Sequence, residues 1–342
     1  MELNATIARV QQAHAESIRR LFDGRPLDRV PSICRIDQCE YLSATPAAFD
    51  PWLKASIASI EQHVELAEHE VTFHPLLIEF WPLGVHFVDA LFGARVYETG
   101  DNFWNDQLPG ELGDVEAPDL DAAPLVRWAL ASIERTLAAV PEGVSVATPV
   151  FSSPLNIALN LFSERCLTAL ASPGRSDRRG LQVIAEAIRG LHLLIARRFP
   201  GRVRFYAASH RWAPPGFGHI CGCSTQLVGP DAYARHIAPL DDAILRTYPE
   251  GGTIHLCGRH PQHIPCWRRM QSLRGVQLND VAADDFEAYF TGLRSDQVIY
   301  IGPTPLMTID RIMQISRGRR VILQARLEDY PQIDAGGSRI VP

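Results

Sequence analysis

The sequence predicts an α/β protein built as a (β/α)8 (TIM) barrel with an N-terminal helical extension. Eight short β-branched or apolar runs alternate with longer helical patterns along the chain. Parallel neighbouring strands need crossover connections, and the helical patterns supply them. The length of 342 residues suits this fold, which routinely wraps about 250 residues or more around one core. The extension takes residues 1–29 and the barrel residues 30–342.

The extension reads as a charged amphipathic helix, MELNATIARVQQAHAESIRRLF, followed by the turn GRPLDR. Strand one is VPSICRID, residues 30–37, and strand two is EVTFHP, residues 70–75, with PWLKASIASIEQHVELAEH as the helix between them. A long aromatic and acidic excursion from Leu76 to Pro124 is expected to cover the barrel mouth, and LVRWALASIERTLAAV is the next helix. Strand three is VSVATPVFS, residues 144–152, followed by two helices over 154–199 that Pro173 and Gly174 separate. Strand four is RVRFYAASH, residues 202–210; a Gly/Pro/Cys-rich loop then leads to a helix kinked at Pro239. Strands five to eight are TIHLCG (253–258), GVQLND (275–280), QVIYIGP (297–303) and RVILQAR (320–326).

Composition excludes several function classes. Lys+Arg 33 against Asp+Glu 39 gives a net charge of −6, without the concentrated positive footprint of a nucleic-acid binder. Every basic residue except Lys54 is arginine, which leaves one candidate for Schiff-base chemistry and no Gly-Lys phosphate loop. No apolar run reaches the roughly 18 residues of a membrane span, and the start lacks a secretory pattern, so a cytoplasmic location is expected. Seven cysteines, an odd number, do not form a disulfide framework in a chain of this size. A small molecule is the expected partner, not a nucleic acid or a membrane.

The sharpest local signal is TIHLCGRHPQHIPC. His255 and Cys257 are two apart, so a strand aims both to one side, and imidazole plus thiolate suits zinc. Further donors are Cys221 and Cys223 beside His219 in GHICGCST, and Cys266 at a helix start, where the dipole would favour its thiolate. Among acids, Asp37, Glu79 and Asp280 lie near strand ends; Asp280 is the best placed to shuttle a proton or hold a substrate amine. His210 and Arg211, with Arg35 and Arg326, are candidates for holding an anion, because guanidinium forks bind carboxylates through two bonds.

With these pieces in order, the chain resembles the uroporphyrinogen decarboxylase superfamily over most of its length. FDGRPLDRVP resembles the family's approach to strand one, LFGARV a segment near the mouth, TPVFSSPLNIALNLFSERCLTAL the central strand–helix unit, and IHLCG with RGVQLND the strongest block. The superfamily fold is a (β/α)8 barrel. Its decarboxylase branch carries Arg-Gln-Ala-Gly-Arg after strand one, where this chain reads CRIDQCEYLS, and Gly-His-Gly after strand eight, where it reads QARLEDY. The His-x-Cys block instead resembles the cobamide-dependent methyltransferase branch. That resemblance implies a zinc that activates a thiol, and a methyl donor carried on a partner corrinoid protein. The branch takes a further cysteine late in the barrel; none follows Cys266 here, so Cys221, Cys223 or Cys266 would complete the set. Two alternatives stay open: a metal-free decarboxylase or lyase with arginine clamps and Asp37 or Asp280 as acid/base, and a non-catalytic ligand-binding barrel.

Overall fold

The computed structural model describes residues 4–34, 42–100, 102–206 and 208–326. Asn4 caps the first helix, its side chain accepting from the Ile7 amide at 2.8 Å and satisfying one of the unbonded N–H groups of a helix start. This helix, α1 (Ala5–Phe22), carries Arg19 and Arg20 in its last turn, where cations suit the carbonyl end of the dipole. Ile7, Val10, Ile18, Leu21 and Phe22 are its buried positions.

The strands are β1 (Ser32–Cys34), β2 (Thr72–Phe73), β3 (Leu77–Ile78), β4 (Val96–Thr99), β5 (Asn102–Asn105), β6 (Ser145–Ala147), β7 (Val203–Arg204), β8 (Gly218–Cys221), β9 (Gly252–Leu256), β10 (Leu273–Leu278), β11 (Val298–Ile301) and β12 (Val321–Ala325). Each of the eight sequence candidates overlaps one of them. Seven form a single parallel sheet in the order β2-β1-β12-β11-β10-β9-β8, and β3-β6-β7 form a second parallel sheet. Parallel bridges Phe205↔Gly218 and Ser152↔Cys221 link the two sheets.

Period two divides the strands into faces. Ile254, Leu256, Val276, Leu278, Ile299, Ile301, Val321 and Leu323 pack into the main core with the helices. The alternate residues Val298, Tyr300 and Ile322 join Ile33, Phe73 and the α1 residues Ile18, Leu21 and Phe22 in a second cluster. Each such fully buried side chain stabilises the fold by about 1.5–3 kcal/mol. On that second face the polar residues His255, Gln277 and Gln324 are also buried. A buried polar row inside an apolar sheet must be hydrogen-bonded.

The structure departs from the expectation in several places: β3 lies within the excursion after Leu76, the strand expected over 144–152 ends at Ala147, and the region 154–199 holds three helices, Pro154–Phe162, Glu164–Ala171 and Arg175–Arg198, where two were expected. The Gly/Pro/Cys-rich loop contains a strand, β8, all four residues of which are buried. Glycine permits it: a Cβ on Gly218 would come within 2.0 Å of the Tyr248 ring, and one on Gly252 within 2.6 Å of the Gly218 carbonyl. The expected strand 202–210 stops at Arg204, with one further bridge at Phe205. Ser209–Arg211 is instead a 3-10 turn, because the buried Glu79 carboxylate accepts from the Ser209 amide at 2.7 Å and takes that N–H away from any ladder. The excursion after Leu76 includes the antiparallel hairpin β4–β5. The kink at Pro239 takes the form of a π-helical stretch, Tyr233–Ile237, ahead of the helix Ala238–Leu245. Arg35 and Asp37 lie outside the described residues. No helix among the described residues is long and apolar enough to cross a membrane.

Candidate metal centre

β9 delivers His255 and β8 delivers the cysteine that meets it. The two strands pair with Cys221 opposite His255, and the ladder continues one step as the Gly222 amide donates to the His255 carbonyl at 2.8 Å. Cys223 then opens a 3-10 turn, Cys223–Leu227, fixed by the Asn156 carboxamide oxygen, which accepts from the Ser224 amide at 3.1 Å. Cys257 follows directly after β9. The result is a three-donor group: Cys223 Sγ stands 3.3 Å from Cys257 Sγ, and His255 Nε2 stands 2.9 Å from Cys257 Sγ. All three ligand atoms lie within 4.8 Å of one another.

A chain of amides determines which imidazole nitrogen faces the sulfurs. The His210 carbonyl can only accept, so Gln324 turns its Nε2 toward it, at 3.0 Å. Gln324 Oε1 is then left to accept from Gln277 Nε2 at 2.9 Å. Gln277 therefore shows its oxygen to His255 Nδ1, which must carry the proton. His255 Nε2 keeps a bare lone pair aimed at the thiols.

Electrostatics act in the same direction. Burial and the Arg211 guanidinium hold His255 below its ordinary pKa, so the imidazole is neutral. The two thiols divide one proton: hydrogen bonding from Cys223 lowers Cys257 against the effect of burial, and the same bond raises Cys223. Arg211 Nη1 lies 3.4 Å from His219 Nε2 and 3.7 Å from Cys221 Sγ. His219 Nδ1 consequently donates to Thr253 Oγ1 at 2.9 Å. A neutral nitrogen lone pair and an anionic sulfur in contact call for a cation between them. Two cysteines and one histidine match the donor set of an open catalytic zinc site, which keeps a fourth position for substrate or water.

The other expected residues are distributed around this group. Cys221 is buried with Val150 against Trp81, where burial pushes its thiol up, and it lies outside the three-donor set. Cys266 sits on the short helix Ile264–Trp267, also outside the set. Burial raises its thiol, so the dipole effect expected there is outweighed. His210 is buried and contributes its carbonyl to the amide chain. Glu79 is buried on the Ser209 amide and so positions the turn that carries His210 and Arg211. Asp280 and Arg326 line a cleft of about 330 Å³ at the ends of β10, β11 and β12, together with Asn279, Thr304 and Gln324. Asn279 Nδ2 lies 4.0 Å from Cys257 Sγ, so the cleft adjoins the sulfurs.

Gln277, Gln324 and Asn279 were not among the candidates. The signal for the glutamines was present in GVQLND and VILQA, where an amide interrupts a strand otherwise apolar enough to be buried.

The fold and the site together define an α/β protein with a parallel seven-stranded sheet, an N-terminal helix and a Cys2His group able to hold a metal ion. Among solved structures the chain is similar to a methyltransferase from Methanosarcina mazei, with a TM-score of 0.64 at 11% sequence identity, over 95% of this chain and 98% of that one. At that identity the likeness concerns the fold alone. No protein-family model matches the sequence, and no curated protein does.

Proposed function

We propose that the chain is a closed (β/α)8 barrel of the uroporphyrinogen decarboxylase superfamily, on its cobamide-dependent methyltransferase-like side, and that it is a zinc-dependent methyltransferase acting on a thiol. The observation that carries this reading is the convergence of Cys223, His255 and Cys257, with the bare His255 Nε2 turned into the group. Closure is supported by the bridges Phe205↔Gly218 and Ser152↔Cys221, which join the two sheets, and by the pairing of β1 with β12.

Zinc bound by these three residues would lower the pKa of an incoming thiol and hold the sulfur at the open position. The chain supplies the orientation. Gln324 and Gln277 keep the His255 proton on Nδ1, and Arg211 keeps the ring neutral and fit to ligate. The cleft beside Asn279 admits a small substrate to the sulfurs. In the transfer, the substrate sulfur forms a bond to the methyl carbon while the carbon's bond to its donor breaks, leaving the electron pair on the donor. The thiol proton goes to water. A corrinoid brought by a partner protein fits the donor role.

Metal analysis of protein purified without chelator tests the reading, alongside Cys257→Ser and His255→Ala. One zinc per chain that both variants lose is the expected result. A wild-type chain that neither carries zinc nor takes it up on titration overturns it.

A further inference from the structure

We propose that His260 and His263 are positioning residues for the candidate metal centre: together they clamp Thr225, and the clamp holds Cys223 at its distance from Cys257. This rests on the metal-holding reading above and adds what sets the spacing of its two sulfurs. The ladder between β8 and β9 does not reach them. Its last bond runs from the Gly222 amide to the His255 carbonyl, and both cysteines lie past that bond, where the chain has left the sheet.

Beyond the ladder the two segments are joined at Thr225, two residues after Cys223 in the same 3-10 turn. A carbonyl can only accept, so the Thr225 hydroxyl donates to the Gly222 carbonyl at 2.8 Å. That uses its one proton, and the hydroxyl oxygen accepts from His260 Nδ1 at 2.9 Å. The Thr225 carbonyl likewise accepts from His263 Nε2 at 2.8 Å. Each imidazole gives one proton to the clamp. The opposite nitrogens, His260 Nε2 and His263 Nδ1, are buried and unpartnered among the described residues, which disfavours a second proton on either ring. Burial accordingly lowers both pKa values, that of His260 to about 4 with His263 adding to the effect.

Both rings are fully buried and held by aromatic neighbours. The His263 centroid stands 4.4 Å from that of Tyr233 and 5.6 Å from that of Trp267, and the His260 centroid 6.1 Å from that of Trp267. Trp267 Nε1 donates to the Tyr233 hydroxyl at 2.8 Å, and that hydroxyl donates to the buried Asp241 carboxylate at 2.9 Å. A clamp made of rings that cannot turn fixes a distance. The two histidines belong to HPQH, which begins three residues after Cys257, so one short segment carries a metal donor and the grip on the turn of the other sulfur.

Two probes on the full-length protein read the spacing of the sulfurs. Zinc is measured by competition with a chelator. Phenylarsine oxide, measured by competition with dimercaptopropanol, exchanges its oxygen for two thiol sulfurs, both thiol protons leaving in the water formed; it reports the pair with no metal present. Cys223→Ser and Cys257→Ser identify that pair. Thr225→Val keeps the side-chain shape and His263→Phe keeps a packing ring, and each removes one clamp bond. Both are expected to weaken both probes about tenfold or more, the effect of losing a group that orients a ligand. Thr225→Ser keeps the hydroxyl and is expected to bind as the wild type does. So is Ile18→Ala, a core variant on α1 that lowers stability away from the clamp. Nitrogen NMR of the wild-type imidazoles, which needs no variant, is expected to place the proton on Nδ1 of His260 and on Nε2 of His263. The opposite tautomer at either ring overturns the proposal. So do the absence of an arsenical adduct in the wild type, clamp variants that bind both probes as tightly as the wild type, and an equal loss in Thr225→Ser or Ile18→Ala. An adduct weakened as expected in a protein that takes up no zinc sustains the clamp and removes the zinc reading.

Discussion

Gln277 presents its amide oxygen to His255 Nδ1, and the rest of the site depends on that orientation. Replacing it with leucine leaves a buried N–H without an acceptor and frees the ring to turn. Gln277→Leu is expected to weaken zinc binding about 10–100-fold, the usual effect of losing the partner that orients a ligating histidine. Competition against a chromogenic chelator measures it; unchanged affinity would mean that the amide does not hold the ring.

The cysteines separate into two groups. Cys223→Ser and Cys257→Ser are expected to lose bound zinc, whereas Cys221→Ala and Cys266→Ala retain one equivalent, because their sulfurs lie outside the three-donor set. Zinc stoichiometry by mass spectrometry distinguishes them, and loss of metal from Cys266→Ala would contradict the arrangement.

Gly218 has no space for a methyl group. Its Cβ would meet the Tyr248 ring at 2.0 Å, and Tyr248 is itself pinned, its hydroxyl 2.6 Å from His192 Nδ1. Gly218→Ala is expected to lose about 1–3 kcal/mol in urea unfolding, the ordinary cost of overpacking. Because β8 leads into Cys223, the same variant should bind zinc more weakly. A stability equal to wild type would show that the strand can shift.

Acid should unfold the protein through its buried histidines. Burial holds His192 and His74 at about 3, against an ordinary 6.5. Below pH 6.5 the unfolded chain takes up protons that the folded chain refuses, so stability is complete above that pH. It then declines by about 1.4 kcal/mol per pH unit for each such histidine as the pH falls toward 3. Urea midpoints at pH 7, 6, 5 and 4 measure the slope, and His192→Gln should flatten it. A wild-type slope that His192→Gln leaves unchanged would assign the acid sensitivity elsewhere.

Much of the strand pattern was legible because period-two burial and crossover helices leave a local record, as in TIHLCG and QVIYIGP. The strand Gly218–Cys221 was not. Its glycine reads as loop chemistry, and only the distant Tyr248 ring and Gly252 explain why a strand lies there. His255 and Cys257 were visible as a spacing on one element. That Cys223, and not Cys221 or Cys266, joins them depends on the register of β8 against β9. Register is fixed by pairing between segments far apart in sequence. Gln277 and Gln324 act only through a third residue, so their role appears only when all three are seen together.

Gln324 belongs both to the wall of the cleft and to the amide chain that ends on His255. Whatever occupies the cleft and engages that carboxamide also alters the grip on the imidazole. The two occupancies are then linked by one free energy: a guest that binds more strongly when the cation is aboard must, by the same factor, make the cation harder to remove.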